Sequence, residues 1–527
     1  MPTAAQPSRT EVEQILDALV ANPGRDALVH HHRRITAGQL RDLTHRLAWA
    51  LHAQGVERDH TVTLLTGNLP EAIAVRYAAG LLGCRINQLY SRLPAGTHAA
   101  MVRDVETHTL ITDPRHAEHA AEITALAPVE HVLVLGTAPQ GTDLLALAAR
   151  RTGSPFPSRA RPDDIRTIRH SGGTTGHSKG ICITYGQARP FGPDLPTEPG
   201  EPPKLLVCTT IAHAAGLMTD KVLRHGGSAV LLDDFDPAVV LDTVERERVT
   251  DLFLMPPLLY QLIDHPHAQH ADTSGLRRVT YGGCQASPIR IADAVQRLGP
   301  VLVQFYGQHE AGIITVLDTQ DHDPARPERL RSVGRAMPGC ELTIRDTTGR
   351  NLPTGQAGEV CVRSATLMQG YWKQPELSAA VLRDGWLHTG DVGYLDDDGY
   401  LTIVDRLKDM INTGAGHVYT SEVEDLLNSH PHVRQSAVFG VPDTDGVERV
   451  HAAVVPAPGG RLDTGQLRTL VRERRGALHE PARITVVDAL PLTDAGKPDK
   501  KLLRHQAECS DPCASVPGVP DDRAARR

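Results

Sequence analysis

The chain has 527 residues, a length that predicts at least two domains, a large one and a smaller one, because a single hydrophobic core does not grow to this size. Hydrophobic residues make up 40% of the chain and charged residues 22%, which is typical of a globular protein. The formal net charge of −8 argues against nucleic acid or an anionic membrane surface as the main partner. Any phosphate that the protein binds must therefore be held by local groups.

Cysteine spacing and the N-terminal residues predict the compartment. The eight cysteines include no C-x-x-C pair, so they are expected to be reduced thiols. Residues 1–9 lack the apolar segment of a signal peptide, and no uninterrupted apolar run reaches the length of about 18 residues that a membrane span needs. We therefore expect a cytoplasmic protein without a membrane span.

Hydrophobic patterning predicts alternating strands and helices over the first half of the chain. The predicted helices are 36–55, which has Thr36 as its N-cap and stops at Gly55, and 70–82, 218–223 and 238–248. The predicted strands are 61–65, 110–112, 131–135, 205–209, 229–232 and 252–255. This alternation predicts an α/β fold of helix-covered, mostly parallel sheets.

The pattern changes from Gly339 onward to short strands and Gly/Asp turns, such as the hairpin at 395–401, which predicts a small β-rich subdomain. After Asp409 one helix (421–428) and strands at 437–441 and 452–455 predict a small α+β domain. The predicted organisation is an N-terminal domain at 11–404, a boundary at 405–408, a C-terminal domain at 409–506 and a disordered tail at 507–527.

Three consecutive histidines, residues 30–32, lie just before Thr36. Consecutive side chains of a turn point in different directions, so they do not converge readily on one ion. We expect a solvated turn here and no metal site.

A stretch rich in glycine and hydroxyl side chains, residues 170–180, reads His-Ser-Gly-Gly-Thr-Thr-Gly-His-Ser-Lys-Gly. Such a run is often an ordinary surface loop, but its backbone N–H groups, hydroxyls and lysine also suit phosphate oxygens. The position of Lys179 does not fit the G-x-x-x-x-G-K-[ST] spacing of a P-loop. The stretch therefore predicts a nucleotide phosphate loop of another kind.

The order Ser-Gly-Gly-Thr-Thr-Gly-x-x-Lys-Gly resembles the phosphate loop of the adenylate-forming (ANL) superfamily, which contains acyl-CoA synthetases, non-ribosomal adenylation domains and luciferases. Stretches similar to its other motifs follow in the superfamily's order, at 211–216, 281–284, 304–312, 385–391, 405–411, 412–424 and 490–501. The resemblance covers about residues 11–504 and is to AMP-dependent acyl-CoA synthetases. It implies activation of a small carboxylic acid by Mg·ATP to an acyl-adenylate, release of pyrophosphate, and transfer of the acyl group to CoA with release of AMP.

The resemblance assigns most of these motifs to ATP. Within them, Tyr306 would pack on adenine, Asp391 and Arg406 would contact the ribose, and Thr174, Thr175 and Lys179 would hold the pyrophosphate end. The residues implied to bind the nucleotide are Ser171, Gly172, Gly173, Thr174, Thr175, Gly176, Lys179, Gly282, Gly283, Cys284, Gln304, Phe305, Tyr306, Gly307, His309, Asp391, Arg406 and Lys497.

The catalytic residues implied by the resemblance are Lys497, His213 and Glu310. Glu310 and Thr174 would be the protein's Mg²⁺ ligands, since Mg²⁺ prefers hard oxygen atoms. Lys497 would offset the charge that develops at the α-phosphate. His213 would lie in the acyl pocket, although a lone histidine also fits a hydrogen-bonded core position.

The resemblance also implies a mobile C-terminal lid that rotates about Lys408, the pivot of a hinge at 405–408. A CoA loop formed by Gly414, Ala415 and Gly416 would line the pantetheine tunnel. Ala415 replaces a glycine of the superfamily. Its added Cβ counts against thioester formation but does not affect adenylation.

Two further departures are His309, where the superfamily usually has threonine, and Gly172, where serine or threonine is frequent. Together with Ala415 they keep open the coupling of the adenylate to an amine or an inorganic oxyanion. Transfer to an acyl-carrier protein is a separate alternative, because a surface for such a partner is not visible in sequence. The acyl-pocket candidates indicate an aryl or medium-length acyl group, and they are His213, Ala215, Thr219, Gly307, Ile313 and Ile314.

Overall fold

The computed structural model describes residues 9–90, 93–171, 179–187, 202–407, 409–414, 416–443, 447–493 and 497–509. By their internal contacts the described residues form two compact units. The larger unit runs to Thr354 and includes 360–389 and 395–402, and the smaller unit comprises 355–359, 390–394 and the chain from Ile403 onward. Within the described ranges, every helix is too short or too polar to cross a bilayer.

The chain forms many short strands. In chain order they are β1 (Asp26–His30), β2 (Arg33–Thr36), β3 (Thr61–Leu65), β4 (Arg85–Gln88), β5 (Thr107–Thr112), β6 (His131–Val134), β7 (Thr142–Asp143), β8 (Ile165–Ser171), β9 (Lys179–Thr184), β10 (Lys204–Val207), β11 (Ser228–Leu231), β12 (Asp251–Leu254), β13 (Arg278–Gly282), β14 (Leu302–Gln308), β15 (Gly312–Leu317), β16 (Arg335–Ala336), β17 (Glu341–Arg345), β18 (Gly358–Arg363), β19 (Gly370–Tyr371), β20 (Leu382–Arg383), β21 (Trp386–Leu395), β22 (Leu401–Arg406), β23 (Ile411–Asn412), β24 (His417–Val418), β25 (Val433–Pro442), β26 (Glu448–Pro456) and β27 (Arg483–Val486).

The helices alternate with these strands. They are α1 (Glu11–Ala21), α2 (Ala37–Ala53), α3 (Pro70–Leu82), α4 (Ala95–Asp104), α5 (Ala117–Leu126), α6 (Leu144–Ala149), α7 (Ala214–Arg224), α8 (Pro237–Glu247), α9 (Pro256–Asp264), α10 (Pro288–Leu298), α11 (Pro327–Arg331), α12 (Pro375–Val381), α13 (Thr420–Asn428), α14 (Thr464–Arg475) and α15 (Lys500–Cys509), with short 3₁₀ turns at Pro114–His116, Pro266–Gln269 and Thr319–Asp321.

Two mostly parallel sheets form the frame of the larger unit. One has the order β19-β9-β8-β4-β3-β5-β6-β7, and β3, β4, β5, β6 and β8 run parallel in it. The other has the order β16-β15-β14-β13-β12-β10-β11-β1-β2, with antiparallel strands at both ends. A small sheet contains β17, β18, β20, β21 and β22. The predicted α/β class with a small β-rich part is therefore confirmed.

The predicted elements of the larger unit are confirmed to within four residues at each end. Helix α2 begins after Thr36 because the Thr36 hydroxyl accepts from the Gln39 N–H, and the Gln39 side chain accepts from the Thr36 N–H. Helix α3 begins at Pro70, where a missing N–H loses no hydrogen bond because first-turn N–H groups have no partner within the helix. The helix ends at Gly83, which has the left-handed conformation. Local chemistry thus sets these helix ends.

A buried ion pair joins α3 to α7 inside the larger unit. Arg76 makes two hydrogen bonds to the Asp220 carboxylate, at 2.8 and 2.6 Å, and the Tyr77 hydroxyl donates to the same carboxylate at 2.5 Å. The Arg76 and Asp220 side chains are only 11% and 5% exposed. Around them packs a continuous apolar cluster that takes residues from α1, α2, α3 and α7. Each charge therefore depends on the other for its hydrogen bonds.

The prediction of a solvated turn at residues 30–32 is wrong for His30. This residue ends β1, which lies parallel to β11 with His30 opposite Leu231, and its ring is buried. Its Nε2 lies 2.9 Å from Asp233 Oδ1, just past the end of β11. Strand pairing across about two hundred residues therefore removes His30 from solvent.

The smaller unit contains a three-stranded sheet, β25-β26-β27, packed against α13 and α14. Helix α15 packs on β25 and runs to Cys509, so the predicted tail is wrong at its first three residues, 507–509. Ala507 contacts an apolar cluster that includes Leu490 and Leu503, which accounts for the extra turn. The rest of the predicted tail, 510–527, lies outside the described residues.

A buried carboxylate near the start of this unit makes its stability depend on pH. Burial raises the pKa of Asp405 to about 6, against the opposing effects of Lys500 and of the Arg406 and Thr420 N–H groups, while Glu424 raises it further. The folded form therefore binds a proton more tightly than the unfolded chain. Stability falls as pH rises from about 4 to about 6, by up to about 3 kcal/mol.

Asp405→Asn is expected to remove this pH dependence, because asparagine keeps an acceptor oxygen for the Thr420 N–H and carries no charge. The measurement is hydrogen exchange of β25 and β26, expressed as protection factors at pH 4.5 and pH 7. The native chain should lose protection as pH rises, and the variant should not. An equal pH dependence in both proteins would contradict the assignment to Asp405.

Candidate nucleotide and acyl site

Strands β8 and β9 hold the two ends of the predicted phosphate loop. Ser171 ends β8 and lies opposite Lys179, the first residue of β9. Residues 172–178, which include Gly172, Gly173, Thr174, Thr175 and Gly176, lie outside the described residues. An antiparallel pair therefore fixes where the loop begins and ends, and places Lys179 directly after it.

Lys179, Tyr371 and Glu310 lie side by side in the larger unit. Lys179 Nζ lies 5.2 Å from the centroid of the Tyr371 ring, and the Tyr371 hydroxyl donates to Glu310 Oε1 at 3.1 Å. Burial raises the pKa of Tyr371, and the Glu310 charge raises it further, so the hydroxyl keeps its proton. A cation and a carboxylate are thus held on the two sides of one tyrosine.

Tyr371 was not among the residues predicted from the sequence. Strand β19 brings it to the site by pairing antiparallel with β9, Tyr371 opposite Ile181. The Gly-Tyr-Trp run at 370–372 was the available signal, because two aromatic residues after a glycine stand out in a chain with 4% aromatics. Which strand they would join was not visible from spacing.

Glu310 fits its predicted role as an Mg²⁺ ligand. It lies in the short turn between β14 and β15, where the Ala311 N–H donates to Gln308 O. A single protein carboxylate together with substrate phosphates is a normal ligand set for Mg²⁺. Thr174, the second predicted ligand, lies outside the described residues.

The two predicted adenine motifs end neighbouring parallel strands. In β13 and β14, Tyr281 lies opposite Gln304 and Gly282 opposite Phe305. A Cβ at Gly282 would clash with the Phe305 carbonyl oxygen, and Gly283 has a left-handed φ of +86°. Close packing of the strand ends therefore requires glycine at 282, and the left-handed backbone favours glycine at 283, whether or not a nucleotide is bound.

Other members of the adenine motifs have packing roles. The Gln304 side chain is buried and accepts from the Tyr281 hydroxyl at 3.1 Å. This hydrogen bond explains a glutamine at this position without a bound nucleotide. Phe305 packs near Phe253, with 6.0 Å between ring centroids. Cys284 and Tyr306 are half-buried. A Cβ at Gly307 would clash with the carbonyl oxygen of Gly312 on the next strand.

The structure brings His213 and His309 together. His213 lies immediately before α7 and His309 in the β14–β15 turn, and their Nε2 atoms are 3.1 Å apart. A hydrogen bond between these two atoms requires one Nε2 to carry a proton and the other to accept it. The Tyr90 ring is 5.8 Å from the His213 ring. His309 therefore contacts the predicted acyl-pocket histidine, a pairing that the sequence did not indicate.

Two of the acyl-pocket candidates are wrong, because their side chains have no exposed surface. Thr219 is fully buried and its hydroxyl donates to Ala215 O within α7, and Ile314 is also fully buried. Ala215 is nearly buried as well, whereas His213 is half-buried. Only His213, which lies just before α7, has a partly exposed side chain among these four candidates.

The predicted ribose residues lie together in the smaller unit. Arg406 Nε is 3.0 Å from Asp391 Oδ1, and Asp391 is buried while Arg406 is half-exposed. The Leu407 N–H donates to Gly390 O, which fixes the chain after Arg406 beside Asp391. Lys408, the predicted hinge pivot, lies outside the described residues. The arrangement presents a carboxylate whose direction is fixed by an ion pair with an arginine.

The predicted CoA loop joins β23 to β24. Gly414 has a left-handed φ of +74°, and the Gly416 carbonyl accepts from both the N–H and the hydroxyl of Thr413. Ala415 lies outside the described residues. A tight turn is therefore present at both described members of the loop.

Lys497 closes a narrow turn near the end of the smaller unit. The Thr493 N–H donates to Lys497 O at 2.7 Å, the Lys497 N–H donates to the Thr493 hydroxyl, and Leu492 pairs with Pro498. Residues 494–496, the tip of the turn, lie outside the described residues. Main-chain hydrogen bonds thus fix where the Lys497 side chain starts.

The fold and these residues define an enzyme class that activates acids with ATP, and comparison with known proteins identifies the family. The AMP-binding enzyme family model matches residues 17–372, and the model of the AMP-binding enzyme C-terminal domain matches residues 422–497. The chain belongs to the AMP-binding enzyme family. The predicted resemblance to adenylate-forming enzymes, and to AMP-forming acid–thiol ligases among them, is confirmed.

Curated relatives match almost the whole chain. A medium/long-chain-fatty-acid–CoA ligase of Mycobacterium tuberculosis is 36% identical over 93% of this chain and 89% of its own length. An indoleacetate–CoA ligase of Aromatoleum aromaticum is 34% identical over 92% of this chain and 95% of its own. Among solved structures, an amide bond synthetase of Marinactinospora thermotolerans is 38% identical, with a TM-score of 0.85 over 94% of this chain and 99% of its own.

Proposed function

We propose that the protein activates an aryl or medium-length carboxylic acid, whose carboxylate attacks the α-phosphorus of ATP. The protein then transfers the acyl group to CoA. The observation that carries the proposal is the arrangement of Lys179, Tyr371 and Glu310 beside the phosphate loop. In-line phosphoryl chemistry depends on positioning and charge neutralisation more than on covalent help from the protein. This arrangement supplies both.

Each charged group has a defined role in this proposal. Lys179 neutralises the β- and γ-phosphate oxygens that leave as pyrophosphate. Glu310, oriented by the Tyr371 hydroxyl, holds Mg²⁺. When bound, Mg²⁺ supplies charge neutralisation at the phosphate oxygens.

The smaller unit supplies the ribose contacts and the mobile lysine. Asp391 accepts from the ribose hydroxyls while Arg406 keeps its carboxylate oriented. Lys497 neutralises the α-phosphate during adenylation. In the second half-reaction the C-terminal lid rotates about Lys408. The loop that contains Gly414 and Gly416 then guides the CoA thiol.

A second candidate acceptor is an amine. It is favoured by the 38% identity to an amide bond synthetase and by the contact between His213 and His309. An amine that attacks an acyl-adenylate must lose a proton, and a neutral imidazole near the acyl group is suited to take it. In a CoA ligase the thiol ionises more readily and needs less help.

Product analysis separates the acceptors. The purified protein is given Mg·ATP and one acid at a time, with CoA, with a primary amine, or with both, and products are identified by mass spectrometry. Acyl-CoA and AMP in equal amounts, with CoA preferred when both acceptors are present, supports the proposal. Amide formation that CoA does not suppress overturns the proposed acceptor and favours the amine.

A further inference from the structure

A histidine cluster lies at the amino-terminal edge of the β3-β5-β6 part of the larger unit. His60 precedes β3, and His108 is the second residue of β5. His131 is the first residue of β6, and Glu130 lies just before it. The strands are parallel, with Thr109 opposite His131, so their first residues share one edge of the sheet. The phosphate loop leaves β8 at its last residue, at the opposite edge of the same sheet.

The distances within this cluster suit a metal ion. His108 Nε2 lies 3.1 Å from one Glu130 carboxylate oxygen, and His131 Nε2 lies 3.6 Å from the other. One ligand atom from each of the three side chains falls within 4.8 Å of the other two. Two atoms that bind zinc at about 2.1 Å with a tetrahedral angle are about 3.4 Å apart. Small side-chain adjustments would therefore bring all three atoms to one ion.

The surroundings orient His108 as a ligand. Its Nδ1 lies 2.8 Å from the Thr109 hydroxyl, so an Nδ1–H that donates to this oxygen leaves the Nε2 lone pair pointing to Glu130. The His60 ring stacks on the His108 ring at 3.9 Å, and the Glu130 N–H donates to His108 O. Second contacts of this kind hold the imidazole and carboxylate in place before an ion arrives.

Access also favours a metal. The His108, Glu130 and His131 side chains are 15%, 66% and 28% exposed, which lets an ion enter and keep water as a further ligand.

We propose that His108, Glu130 and His131 bind a divalent transition-metal ion of the zinc type. Two imidazoles and a carboxylate select such an ion over Mg²⁺ or Ca²⁺, which prefer oxygen ligands alone. The ion links Glu130 and His131, which follow α5, to His108 in β5. Its role is therefore structural, and it lies away from the nucleotide and acyl site.

Zinc binding to the full chain tests this site. After treatment with a chelator and dialysis, zinc is titrated by calorimetry into the native protein, into the double variant His108→Gln/His131→Gln, and into a control variant, His270→Gln, that alters an exposed histidine. The native protein and the control are expected to bind one more equivalent than the double variant, with micromolar affinity or tighter. The His30, His31 and Asp233 cluster is unchanged in all three proteins, so it does not affect the difference.

Equal stoichiometry and affinity in all three proteins would overturn the site. If the double variant does not fold, Glu130→Gln removes the most exposed ligand alone, and a loss of affinity of at least tenfold is expected. Cobalt gives a second readout, a visible absorption band that the native protein and the His270→Gln control share and the double variant lacks. Because the site does not depend on the proposed function, acid-dependent AMP release can fail without affecting this result.

Discussion

Lys497→Ala is expected to lower the rate of acyl-adenylate formation by about 100- to 1,000-fold, the size of effect seen when a group that neutralises charge in a transition state is removed. The variant should fold normally. The turn that carries Lys497 is held by its main-chain N–H and C=O, which alanine retains. The loss should therefore appear in the chemical step and not in protein yield or melting temperature.

The second half-reaction supplies the decisive comparison. Given synthetic acyl-adenylate and CoA, Lys497→Ala should form acyl-CoA within about tenfold of the native rate, because the α-phosphate charge has already developed. Lys501→Ala, at an exposed position on α15, serves as the matched control and should leave both rates near those of the native enzyme. Equal losses of both half-reactions in Lys497→Ala would contradict the role given to this lysine.

Asp220→Ala is expected to lower the free energy of unfolding of the larger unit by about 3–5 kcal/mol, because it leaves Arg76 buried without its carboxylate. The same change removes the acceptor of the Tyr77 hydroxyl. Asp220→Asn keeps the shape and an acceptor oxygen but not the charge, so it should be less damaging than alanine.

Tryptophan fluorescence during urea unfolding measures this effect, since Trp49, Trp372 and Trp386 all belong to the larger unit. The double variant Arg76→Met/Asp220→Leu removes both charges and should recover most of the lost stability. A loss below about 1 kcal/mol for Asp220→Ala would show that water or another anionic group compensates Arg76.

The sequence predicted those parts of the fold that local chemistry determines. The Thr36 cap, Pro70 at the start of α3 and Gly83 after its end define two helices without reference to the rest of the chain. The motifs of the adenylate-forming enzymes added candidate site residues such as Glu310 and Asp391, which hydrophobic patterning alone did not single out.

Contacts between distant strands could not be predicted in this way. Tyr371 reaches Glu310 only because β19 pairs with β9, and His309 meets His213 across 96 residues. His30 is buried by pairing of β1 with β11, although its local sequence is that of a polar turn. Helix α15 continues past residue 506 because Ala507 finds an apolar surface, which its own sequence does not reveal.

The most direct test of the account is exchange of labelled pyrophosphate into ATP, measured with Mg²⁺ and a panel of aryl and medium-length acids in the absence of CoA. Reversible formation of an acyl-adenylate predicts exchange that requires an acid, does not require CoA, and is lost in Glu310→Gln and Lys497→Ala. Exchange that is independent of acid, or release of ADP and phosphate in place of AMP and pyrophosphate, would contradict it.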